Sequence, residues 1–78
     1  MPIKFTKHSL ERMRLRNISK EEIIEAIENP DKILNDSFGN KIVHKVKKKY
    51  LLRVFYHMEG DSKLVLTAYK TSKFDKYI

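Results

Sequence analysis

The sequence contains no cysteine and no tryptophan, only two glycines and two prolines, and no long apolar run. Without cysteine, a disulfide framework and a thiolate zinc site are both excluded, and a cytoplasmic location is the natural expectation. Two glycines are too few for a glycine-rich phosphate loop. No apolar stretch approaches the ~18 residues of a membrane span, and no charged leader precedes a shorter one, so neither a membrane helix nor a signal peptide is expected. The three histidines, His8, His44 and His57, are scattered, and no H-x-x-x-H pair or carboxylate triad stands at ligand spacing. No metal and no cofactor is therefore expected.

Acidic residues are also scarce where it matters. Lys and Arg total 17 against 10 acids, giving a net charge of +7 and a pI near 9.7. Residues 1–29 hold six basic and five acidic side chains, residues 30–78 eleven and five. Between Ser37 and Met58 there is no acid, only Lys41, Lys45, Lys47, Lys48, Lys49 and Arg53. A general lysine-rich surface would not exclude acids from one stretch so completely, so the imbalance points to nucleic acid or another polyanion as a partner.

What is present suffices for one domain over residues 1–78, with 41% hydrophobic residues to build a single core. Thr6 is a suitable N-cap for a first helix that ends near Arg16, where Asn17 can take the left-handed conformation. Ser19-Lys20-Glu21-Glu22 is a capping box opening a second helix with an apolar stripe of Ile23, Ile24, Ala26 and Ile27, closed by Asn29-Pro30. From Lys32 the periodicity falls to two. It predicts strands over 32–36, 41–47, 50–58 and 63–70, with turns at Ser37-Phe38-Gly39-Asn40 and Glu59-Gly60-Asp61-Ser62. The expected fold is α+β: two N-terminal helices packed on a four-stranded antiparallel sheet.

Alternation places Ile42, Val46, Leu52, Val54, Tyr56, Leu64, Leu66 and Ala68 on the face toward the helices. The opposite face would carry Lys45, Lys47, Arg53, Phe55, His57, Thr67 and Tyr69. With Lys48 and Lys49 nearby, these residues form a candidate RNA-binding surface, cations meeting phosphates and rings stacking on bases.

Chemistry concentrates at the N-terminus. On a helix, His8, Arg12 and Arg16 fall at i, i+4 and i+8 and make one polar column. RNA supplies its own nucleophile in the 2′-hydroxyl, so cleavage needs only proton transfer and cations for the charged phosphorane. His8 suits proton transfer, Arg12 and Arg16 suit bidentate phosphate binding, and Tyr69 and Lys70 at the end of the last strand complete the candidate site. The plain alternative is an ordinary solvated helix face.

The opening His8-x-x-x-Arg12-Met13-x-x-Arg16-x-Ile18-Ser19, with Glu22-Ile23 and Asn29-Pro30, resembles a family of small domains of unknown function grouped with RelE-like and BrnT-like toxins. The closing Leu66-Thr67-Ala68-Tyr69-Lys70-Thr71-Ser72-Lys73, with Tyr77, is similar to the end of those domains. The resemblance implies a RelE-like fold and metal-independent endoribonuclease activity, as the toxin of a type II toxin–antitoxin pair with an acidic antitoxin as partner. It also implies an alternative site set of Lys45, Lys47, Arg53 and Tyr69. Two other readings remain: a non-catalytic RNA-binding module, and a ParE-like toxin that acts by binding a protein.

Overall fold

The computed structural model describes residues 2–77; Met1 and Ile78, at the ends of the expected lead-in and tail, lie outside the described residues. The elements run β1 (Ile3–Phe5), α1 (Lys7–Leu15), α2 (Lys20–Glu28), β2 (Lys32–Asn35), β3 (Lys41–Val46), β4 (Leu51–Glu59), β5 (Ser62–Thr71) and α3 (Phe74–Tyr77).

Local sequence accounts for the helix ends. The Thr6 hydroxyl accepts from the Ser9 amide at 2.9 Å, and the buried Ser9 hydroxyl donates back to the Thr6 carbonyl at 2.8 Å. Arg16 caps α1, and Asn17 takes a positive φ of 55°, a conformation that short polar side chains tolerate best after glycine. Ser19 and Glu22 then form both arms of the capping box that starts α2, and Asn29 closes it ahead of Pro30.

The sheet corrects the expected architecture. It has five strands in the order β1-β5-β4-β3-β2, and β1 runs parallel to β5. The fold is thus α+β with a mixed five-stranded sheet and three helices, not a four-stranded antiparallel sheet under two. Three residues of β1 are too few to show a period. Its pairing is non-local: Ile3, Lys4 and Phe5 align with Lys63, Leu64 and Val65, and the Pro2 carbonyl accepts from the Lys63 amide at 2.9 Å. Proline lacks a donor but keeps this acceptor.

The face assignment needs a second correction. The β3–β4 register pairs Val43 with Val54 and His44 with Arg53, so Val43 joins the helix side while Ile42, His44 and Val46 turn to the outer face. In β5 the pairing steps from Thr67 to Val65 opposite Phe55 and Tyr56. This bulge sends Val65, rather than Leu64 or Leu66, into the core. The core unites Met13 and Ile18 with Ile23, Ala26 and Ile27 of α2 and with Val43, Leu52, Val54, Tyr56, Val65 and Ala68 of the sheet. Leu51 and Ile42 are buried on the outer face, which is therefore not simply a solvated one.

Candidate functional site

Because β1 reaches only Val65, the edge of β5 beyond it has no strand partner among the described residues. Arg16 covers it: one terminal nitrogen donates to the Ala68 carbonyl at 2.9 Å and to the Thr67 hydroxyl at 3.3 Å. That contact ties α1 to the sheet and satisfies an edge carbonyl. His8 and Arg12 remain exposed, with Arg12 Nε donating to His8 Nε2 at 3.3 Å. The polar column is thus a neighbouring pair plus an arginine fixed to β5.

Tyr69 and Lys70 diverge, as adjacent strand residues must. The Lys70 ammonium lies on the helix side, donating to the Asn17 carbonyl at 3.0 Å and sitting 4.9 Å from the centre of the Tyr50 ring. The Tyr50 hydroxyl donates to Glu22 at 3.0 Å. Burial there works against ionisation of Glu22. The Ser19 amide, the Tyr50 hydroxyl and the Lys70 charge outweigh it and hold the carboxyl below its usual value.

The expected basic strip is divided between the two faces. Lys45 and Lys47 reach the helix side, where both pair with Glu25, at 3.5 and 3.7 Å, and Lys45 also donates to the Asn29 carbonyl. Lys48 and Lys49 are exposed between β3 and β4. Arg53, Phe55, His57 and Tyr69 do share the outer face, and Arg53 is the centre of the best-built cluster on the molecule.

The Arg53 side chain is buried, yet no acidic side chain among the described residues pairs with it. Its Nε donates to His44 Nε2 at 3.0 Å, and a terminal nitrogen donates to the Tyr69 hydroxyl. Three rings surround the guanidinium carbon: Tyr77 at 4.2 Å, Phe55 at 5.2 Å and Tyr69 at 5.5 Å from ring centre. Phe55 meets Tyr69 edge-on at 6.1 Å, and His44 meets Tyr77 edge-on at 6.5 Å. Ring faces stabilise a cation but do not neutralise it. A desolvated guanidinium without a counter-charge is a preference for an anion waiting to be met.

The titration directions fit that surrounding. Burial first, then the Arg53 and Lys32 charges, push the His44 pKa down, so the ring is neutral. Accepting at Nε2, it carries its proton on Nδ1, a buried donor that has no partner among the described residues. The two tyrosines separate. Burial, reinforced by the hydrogen bond to Tyr77, raises Tyr69 against the lowering influence of Arg53. The hydrogen bond from Tyr69, with Lys76 and Arg53 nearby, overcomes desolvation and lowers Tyr77. Both phenols lie beside the Arg53 guanidinium, and a phenol can give or accept a proton.

The sequence expectations named Arg53, Phe55 and Tyr69 here but not His44, and Tyr77 entered only as part of an aromatic tail. The signal for His44 is the register itself. A hairpin pairing Val46 with Leu51 puts His44 opposite Arg53 and Arg53 opposite Tyr69. Nothing in spacing announces Tyr77, which arrives through α3.

Among the described residues, no three His, Asp or Glu side chains converge as a metal-ligand set, and no helix is long and apolar enough to cross a membrane. No curated protein and no solved structure matches the chain. A family model described as a domain of unknown function, DUF4258, matches residues 5–70. That span takes in His44, Arg53 and Tyr69 and stops before α3, and since it covers most of the chain, the protein belongs to the DUF4258 family.

Proposed function

We propose that the protein is a metal-independent endoribonuclease, acting as a cytoplasmic toxin of a type II toxin–antitoxin pair whose acidic antitoxin masks its basic surface. The single observation that carries the catalytic reading is the buried Arg53, held between His44, Tyr69 and Tyr77 with no carboxylate partner among the described residues. The toxin assignment is supported by the likeness of the opening and closing motifs to RelE-like and BrnT-like toxins.

In this reading the scissile phosphate meets Arg53. Tyr77, as its phenolate, takes the proton of the 2′-hydroxyl as the 2′-oxygen bonds to phosphorus. Arg53 balances the charge of the phosphorane, and Tyr69 gives its proton to the departing 5′-oxygen. The products are a 2′,3′-cyclic phosphate and a 5′-hydroxyl. His44 positions Arg53 through the Nε hydrogen bond and stays clear of the proton transfers. Arg16 anchors α1, and the exposed His8–Arg12 pair contributes to RNA binding rather than to bond cleavage.

The test is incubation of the purified protein with RNA in EDTA, with and without ribosomes, beside Arg53→Lys, Tyr69→Phe and His8→Ala. The reading expects EDTA-resistant cleavage with cyclic-phosphate ends, lost in the first two variants and retained in the third. RNA that stays intact in every reaction while binding persists would replace the nuclease with a non-catalytic RNA-binding module.

A further inference from the structure

The turn between β2 and β3 is unusually well braced for an exposed loop. The Asp36 carboxylate accepts from the Phe38 and Asn40 amides at 2.8 Å each and from the Asn40 side-chain amide at 3.0 Å, while the Asp36 amide donates to the Asn40 carbonyl at 3.0 Å. Gly39 supplies the positive φ of 83° that the reversal requires. The side chain this scaffold presents is Phe38, 84% exposed and the most exposed of the large apolar residues. Folding gains nothing from a phenyl ring in water, and a braced turn pays its ordering cost before any partner arrives.

Its surroundings select the partner. Asn40 Oδ1 lies 3.0 Å from Nδ1 of the exposed His57. His57 stands on the same outer face of β4 as Phe55 and Arg53, four residues and about 13 Å along the strand from Arg53. From Phe38 to His57 no acidic residue occurs in the sequence. Asp36 directs its carboxylate inward to the turn's own donors. An exposed ring on a braced turn, a polar pair anchored two residues along that turn and a basic approach suit an unpaired base stacked on the ring, with its edge against the pair.

We infer that Phe38, with Asn40 and His57, is a nucleobase-stacking subsite that holds single-stranded RNA displaced from the Arg53 centre along the outer face of the sheet. This inference rests on the RNA-directed reading above, and it names the substrate as an unpaired strand longer than a dinucleotide. Duplex RNA, whose bases are already stacked, does not engage the ring.

Phe38 is 84% exposed and outside the core, so its replacement is expected to leave the fold intact. The probe is a fluorescent single-stranded octanucleotide with 2′-O-methyl riboses, which lacks the nucleophile and reports binding alone by anisotropy. Phe38→Ala is expected to weaken binding about tenfold, Phe38→Tyr to restore it, and cleavage of a dinucleotide to be the same in all three proteins. Binding by Phe38→Ala as tight as by the unmodified protein would overturn the subsite. Binding that depends on Phe38 in a protein that cleaves nothing would sustain the subsite and refute the nuclease.

Discussion

At the scale of single residues, the outer-face cluster turns on which protons are held and which are released. His44 is neutral because burial and two cations oppose its charge. With its folded pKa below the unfolded value of 6.5, the unfolded chain binds the proton first as the pH falls, so the folded state loses stability below that value. Denaturant midpoints between pH 7 and pH 5 are expected to decline in the natural protein and to flatten in His44→Gln. At fixed neutral pH, His44→Leu leaves the Arg53 Nε without an acceptor and is expected to cost about 1–3 kcal/mol. The tyrosines give the opposite sign at the alkaline end. Tyr50, Tyr56 and Tyr69 all titrate above the ordinary 10.0, so stability present below that pH falls as these phenols ionise, with Tyr77 working against the trend. The same separation shapes the expected reaction profile. The rate rises with pH as Tyr77 ionises below 10.0 and falls once Tyr69 loses its proton above it.

At the scale of elements, the helix boundaries were legible in the sequence and the sheet was legible only in part. Thr6, Asn17 and the Ser19–Glu22 box act through neighbours three residues away or fewer, and local rules reach that far. Ser19→Ala is accordingly expected to cost about 1 kcal/mol, measured as a shift in the thermal midpoint. The parallel strand β1 was invisible because its partner lies some sixty positions away. The bulge in β5 was invisible because an alternating pattern carries no mark of an extra residue. The β3 register is equally non-local: alternation alone puts Lys45 and Lys47 on the Arg53 face, whereas the pairing of His44 with Arg53 turns them to the helix side, where they meet Glu25. Arg16 shows the same limit. Its position on α1 was evident, but its role at the edge of β5 follows only once β1 is seen to stop at Val65.

At the scale of the whole molecule, the charge excess and the buried arginine have separate jobs. The net charge of +7 attracts a polyanion without reading it, and that attraction is expected to weaken steeply with salt, log affinity falling linearly with log salt concentration. In the proposed reaction, catalysis would instead depend on a few atoms around Arg53 and would be much less sensitive to screening. The most direct test of this cluster is the rate of RNA cleavage in EDTA by Tyr77→Phe, a change that removes one oxygen and keeps the ring over Arg53. Loss of the base is expected to slow cleavage by about a hundredfold or more while RNA affinity is unchanged. Cleavage as fast as that of the unmodified protein would show that the proton passes elsewhere and would contradict the assignment of this cluster as the active site.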